Sequence, residues 1–189
     1  IQPYATLSGA QIGDCAGRSL AGRDGTLLVG APCRGSYRAI HEHIGQEMLF
    51  DGPGAAHRVA DFPAGITSLS EAAATYIGTE VWDRFGSSVA LWQSQQADQD
   101  QKVVIGAPDY YGAEWINPTA QGRLYLFDDT QSGEVTAESA QGTIDGGCCG
   151  LERHDEAGTS IDSSASGLLV GSPGLDDFEL EGGAFWFTE

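Results

Sequence analysis

The sequence predicts an all-β chain built from three copies of one four-stranded unit. Three observations predict it. A short pattern occurs as DCAGRSLA at 14–21, DRFGSSVA at 83–90 and DEAGTSID at 155–162. A second pattern follows each copy: LLVGAP at 27–32, VVIGAP at 103–108 and LLVGSP at 168–173. A third follows that: GSYRAI at 35–40, GRLYLF at 122–127 and GGAFWF at 182–187. Ordered elements that recur in register make the repeat the unit of the fold.

Each element reads as a strand. The first carries small residues (Gly17, Ser19, Ala21), which suit a crowded inner strand where sheets converge. The second is a short β-branched and leucine run closed by breakers, the signature of a buried strand. Pro32, Pro108 and Pro173 lack a ladder donor, so each ends its strand. The third carries aromatics at Tyr37, Tyr125, Phe127, Phe185 and Phe187, which fill space between sheet faces. A fourth strand is expected at ATYIG 74–78 and GTIDG 142–146. Gly22–Gly25 and Ser163–Gly167 form hairpin turns between the first and second strands, and the middle unit has a longer link from Gln93 to Lys102. Units recur about 70 residues apart, too long for helical repeats. Four antiparallel strands repeated radially make a β-propeller blade.

Phe85-Gly86, Gly106-Ala107-Pro108 and the Gly-x-Tyr/Leu element resemble the FG-GAP repeat of integrin alpha-chain propellers. The outer units carry Ala-Gly in place of Phe-Gly, and the third has Gly171-Ser172-Pro173. The resemblance implies blades at about 10–78, 79–146 and 147–189 plus 3–9, a single propeller unit over 1–189. PYATLSG at 3–9 is similar to the fourth-strand segments, so this N-terminal strand is expected to complete the last blade. Three blades per chain fall below the range of about four to eight. A homo-oligomer is therefore expected, a dimer forming a six-bladed ring, with other propeller chains or a longer precursor as alternatives.

The charge is −18, from 27 acidic and 9 basic residues, and Lys102 is the only lysine. Nucleic acid and anionic membranes are poor partners for such a surface. No apolar stretch has the length of a membrane span, so no membrane insertion is expected. Cys15 and Cys33 fall nearly opposite each other across the first hairpin, a reasonable disulfide. Cys148 and Cys149 are adjacent in a glycine-rich loop; a vicinal disulfide, an interchain pair and free thiols all remain open. An even cysteine count in an adhesion-like protein points to a secreted or cell-surface setting.

The resemblance brings calcium into view, because the first interstrand link of such repeats often holds an acidic loop. Only the middle link is long enough, and it offers Asp98 and Asp100. The glycine and terminal acid of a calcium loop are missing there, so the loop is either a weak calcium site or a solvated hairpin. Tyr110, Tyr111 and Trp115 lie on the link at 109–121, where they serve either a protein or carbohydrate ligand or a subunit contact. The acidic link at 175–183 and the His41-Glu42-His43 strand read as solvated surface. Ser19, Ser88 and Ser160 occupy equivalent positions, so they serve the repeat rather than catalysis. Residues 45–71 depart from the repeat and read as loop, with a helical turn expected at Ser68–Glu71. No nucleophile elbow, P-loop or HExxH motif occurs. The expectation is a non-enzymatic extracellular binding, adhesion or recognition module. A structural subunit of a multi-chain assembly and the propeller part of a secreted hydrolase are the alternatives.

Overall fold

The computed structural model describes residues 6–40, 47–50, 52–61, 68–93, 101–110, 121–146, 155–174 and 182–188. They form an all-β structure with two single-turn 3-10 helices, Leu69–Glu71 and Ala137–Ser139. The first sheet contains β1 (Ser19–Arg23), β2 (Thr26–Ala31), β5 (Ala55–Val59), β6 (Ala74–Ile77) and β10 (Gly133–Thr136), in that spatial order. Between β2 and β5 the chain makes a separate hairpin, β3 (Tyr37–Ile40) with β4 (Glu47–Phe50). The second sheet is β7 (Ser88–Trp92), β8 (Lys102–Ala107), β9 (Arg123–Asp128) and β11 (Gly142–Asp145). The third is β12 (Ser160–Ser164), β13 (Gly167–Ser172) and β14 (Gly183–Phe187).

Pairing follows the repeat. The first two strands of each unit meet in the same register: Ser19 faces Gly30, Ser88 faces Gly106 and Ser160 faces Gly171. β2, β8 and β13 end immediately before Pro32, Pro108 and Pro173, where the ladder loses its donor. The turn into each first strand also repeats. Asp14, Asp83 and Asp155 are buried; the next residues Cys15, Arg84 and Glu156 sit at φ +56°, +52° and +49°. The glycines two further on, Gly17, Gly86 and Gly158, lie at +89°, +93° and +88°. Left-handed backbone at a non-glycine costs about 1–2 kcal/mol, so three matching instances mark a turn held by its surroundings. The Asp14 carboxylate shows one such hold, accepting from the Gln11 and Ala16 amides at 3.0 Å each.

Two cores lie between the sheets. Leu28, Ala56 and Tyr76 of the first sheet pack against Phe85, Ile105, Tyr125 and Phe127 of the second unit. Ala90, Val104 and Leu124 pack against Leu168 and Val170 of the third. The inner strands adjoin, β7 lying between β1 and β12. A backbone lock recurs at both seams. Ser19 Oγ donates to the Gly86 carbonyl at 3.0 Å, and Ser88 Oγ donates to that of Gly158. Gly54 bridges Phe85, and Gly122 bridges Ala157. At Gly30 and Gly106 a Cβ would collide with the next unit's glycine carbonyl, so no side chain fits there.

The structure corrects four expectations. The third strand of the first unit is β5, not the segment around Tyr37, because the β3–β4 hairpin is inserted ahead of it. Residues 45–71 accordingly contain strands, although Leu69–Glu71 does form the expected turn, with the Ser68 hydroxyl accepting from the Ser70 amide. The link before β11 contributes β10, which crosses back to pair in parallel with β6. Finally, residues 6–8 do not lie beside β14. Ser8 bridges Ser68 on the outer side of the first sheet, and the third sheet has three strands among the described residues. Among the described residues no sheet closes on itself.

Candidate functional site

The links between second and third strands are the longest in each unit, and they leave from equivalent ends of their sheets. In the second unit the link is pinched at its base. The Tyr110 carbonyl accepts from the Gln121 amide at 3.0 Å and the Gly122 amide at 3.2 Å. In the first unit the Arg34 carbonyl accepts from the Gly54 amide at 3.1 Å, the same bond one repeat earlier. Both links thus depart and return through a hydrogen-bonded neck on a buried sheet. Residues 111–120 hang from the second neck, so Tyr111 and Trp115 lie outside the described residues.

Tyr110 is inside the neck rather than on display. Its ring lies under the Arg123 guanidinium, 3.8 Å from centroid to Cζ, and Tyr125 lies under the same group at 5.8 Å. Asp145 holds Arg123 through two parallel hydrogen bonds, Nε to Oδ1 and Nη2 to Oδ2. Such a fork fixes the guanidinium plane and lets it stack on an aromatic face. The sequence offered Tyr110 as a ligand or subunit contact and gave no sign of this clamp; Arg123 and Asp145 are neighbours only through the β9–β11 register.

Asp83 lies nearby. Burial raises its pKa to about 7, with Glu80 adding to the rise, Arg123 opposing it and Asp109 adding again. A carboxyl that titrates near neutrality marks a functional candidate. Here Asp14 and Asp155 are buried at the same place in the other units, so the position belongs to the turn of the repeat. Arg84, the residue after Asp83, forms an ion pair with Asp109 at 2.9 Å.

Cys15 and Cys33 are joined by a disulfide, as expected. It ties the turn before β1 to the residue preceding the first neck. Cys148, Cys149, Asp98 and Asp100 lie outside the described residues. Among the described residues, no group of three or more His, Cys, Asp or Glu side chains is placed to hold a metal. No helix there is long and apolar enough to cross a membrane.

Two clefts remain. One, of about 320 Å³, runs between the inner strands and is lined by Leu20, Arg23, Val89, Leu91 and Asp162 among others. The other, of about 270 Å³, lies on the outer face of the first sheet against Gln11, Arg34, His57, Leu69 and Glu134. His57 is 1% exposed, and its Nδ1 lies 3.1 Å from Thr75 Oγ1. Its Nε2 and the Arg34 Nη1 are buried without hydrogen-bond partners. Burial, then the Arg34 charge, lowers the His57 pKa to about 4, against the pull of Asp14, so the ring is neutral at pH 7. No protein-family model matches the chain, and no curated protein is similar enough to count as a relative.

Proposed function

We propose that this chain is a non-enzymatic binding or recognition module of the secreted or cell-surface kind. In this reading it is an arc of an integrin-like β-propeller that presents its long links to a protein or carbohydrate ligand. The observation that carries the reading is the neck at Tyr110. Two backbone bonds close it, the Arg123–Asp145 fork braces it, and a buried four-stranded sheet supports it. A ten-residue link with Tyr111 and Trp115 is thereby anchored at both ends to a rigid platform. Loops carry binding when a scaffold fixes their ends, and Tyr and Trp dominate such contacts. The Cys15–Cys33 bond braces the first neck and fits an oxidising compartment.

The test replaces residues 111–120 with a Gly-Ser link of equal length. Parent and variant are then probed against arrayed glycans and extracellular-matrix proteins. The expected result is binding by the parent that disappears in the variant while Tm stays unchanged. A parent that binds nothing, or a variant that binds as well as the parent, overturns the reading. One observation favours a second reading, a structural subunit: Leu169 and Trp186 on the outer face of the third sheet are 39% and 50% exposed.

A further inference from the structure

Two faces of the molecule carry the unmatched halves of the seam that occurs twice inside it. Each internal seam has three parts, and the first has a fourth. An inner-strand serine donates to the next unit's glycine carbonyl. A left-handed glycine before the third strand bridges the residue ahead of that same glycine. Apolar side chains from the second and third strands fill the space between. In the first seam, the fourth strand also pairs in parallel with the segment leading into the next unit's 3-10 turn: Ile77 with Thr136, ahead of Ala137–Ser139.

The outer face of the third sheet has the donor half. Ser160 stands where Ser19 and Ser88 stand, and no glycine carbonyl meets it among the described residues. Gly182 is left-handed at φ +61°, as Gly54 and Gly122 are at +79° and +73°. Exposed Leu169 occupies the position that Leu28 and Val104 fill inside the seams. A fourth strand is missing beside β14 among the described residues.

The outer face of the first sheet has the acceptor half, and also that fourth strand. Ser8 bridges Ser68 in parallel, ahead of the turn Leu69–Glu71, as Ile77 meets Thr136. Leu7 packs on Val29, Val59 and Leu69 as Tyr76 packs into the first seam. Residues 6–8 therefore take, against the first sheet, the place that the fourth strand β6 takes against the second unit. Beside them lies the cleft with the partnerless His57 Nε2 and Arg34 Nη1. Buried polar atoms left unpaired cost about 1–3 kcal/mol each, a cost that an incoming surface can remove.

We propose that two copies of this chain join head to tail, the third sheet of each docking on the outer face of the other's first sheet. This rests on the propeller reading above and names its partner. Ser160 of the partner subunit donates to the Gly17 carbonyl, and residues 6–8 pair alongside the partner's third sheet. Each copy lends a strand and receives one, so the twofold pair satisfies both faces at once.

The experiment is the solution mass of the non-reduced protein by light scattering over a concentration series. It is run for the parent, for Trp186→Asp and for Ser160→Lys. The parent is expected at twice the chain mass of 19.8 kDa and both variants at the single mass with unchanged circular dichroism. Both substitutions lie at exposed positions of the third sheet, so folding is preserved. A parent that stays at the single mass overturns the proposal, as does an open-ended series of larger species or a dimer that survives both substitutions. A single-mass parent that still binds ligand through residues 111–120 overturns the pairing alone. A dimer whose binding ignores that loop overturns the loop reading alone.

Discussion

The first and second units make the same turn and secure it with different chemistry. Cys15 and Arg84 are equivalent, as are Cys33 and Asp109, yet the first pair is a disulfide and the second an ion pair. The third unit places Glu156 and Gly174 there, which can form neither. The backbone is indifferent, with φ of +56°, +52° and +49° at the first residue of each pair. The turn is therefore dictated by the buried aspartate and the left-handed glycine, and both the cross-connection and the seam are added braces. The units also differ at the residue before that glycine: Ala16, Phe85 and Ala157. Phe85 is 1% exposed and meets Tyr125 edge-on at 5.2 Å. Ala157 makes the same backbone bridge with no ring at all. Backbone contacts define a seam, and side chains set its strength.

The largest test of that contrast is Phe85→Ala. It is expected to cost about 3–5 kcal/mol in denaturant unfolding, because a fully buried ring leaves a cavity. A loss below about 1 kcal/mol would mean that the backbone lock alone holds the first seam. Removing the covalent brace comes next. Cys15→Ser with Cys33→Ser is expected to lower stability by about 2–4 kcal/mol while circular dichroism at low temperature stays unchanged. Loss of the β spectrum would show that the disulfide, not the turn, specifies the first unit.

The position of Tyr125 in the second unit is held by His57 in the first, and that difference is readable in pH. With its folded pKa at about 4 against an ordinary 6.5, the ring is protonated in both states below about 4 and in neither above 6.5. Between those values only the unfolded chain binds the proton, so stability rises with pH across this window. The Arg34 and Asp14 charges act on the ring and Thr75 Oγ1 contacts it, and His57→Gln leaves all three residues unchanged in the sequence. That variant is expected to flatten the profile between pH 4 and 6.5. An unchanged profile would place the titration elsewhere.

A smaller contrast separates closed seams from the open face. At Gly106 a Cβ would strike the Gly158 carbonyl as well as the Ser88 hydroxyl; at Gly171 the only close neighbour among the described residues is the Ser160 hydroxyl, which can rotate away. Gly106→Ala is expected to cost about 1–3 kcal/mol and Gly171→Ala well under half of that, by thermal unfolding of both variants at low protein concentration. Equal costs would mean that the glycines serve the hairpin and not the seam. The smallest effect is expected for Arg84→Ala, at about 0–1 kcal/mol, since the Arg84 side chain is 55% exposed.

Much of the fold was legible because the repeat reports itself. The strands ending at Pro32, Pro108 and Pro173, the Asp24-Gly25 hairpin with φ of +47° and +80°, β6, β11 and the Cys15–Cys33 bond all lie where the sequence predicted them. The third strand of the first unit was misplaced because GSYRAI matches the pattern and AAHRV does not. The match belongs to an inserted hairpin, and a one-sequence reading has no way to tell insertion from repeat. β10 escaped notice because four residues, GEVT, carry too little pattern to separate a strand from a link. The Arg123 clamp was hidden for another reason: its partners Tyr110, Tyr125 and Asp145 come from three elements, and only the β8–β9–β11 register brings them together.

The sequence by itself determined the all-β class, the three-fold repetition, the hairpin turns and the strand ends. Those follow from local causes: a missing amide at proline, a free φ at glycine, alternation along a strand. Only the tertiary structure decided which segment fills the third place in the first sheet, that β10 crosses to its neighbour, and that residues 6–8 lie against the first sheet rather than the third. It also decided that Ser19 and Ser88 lock adjacent sheets through the Gly86 and Gly158 carbonyls. These are contacts between residues about 70 positions apart. They depend on how sheets stack, and no local preference along the chain encodes that.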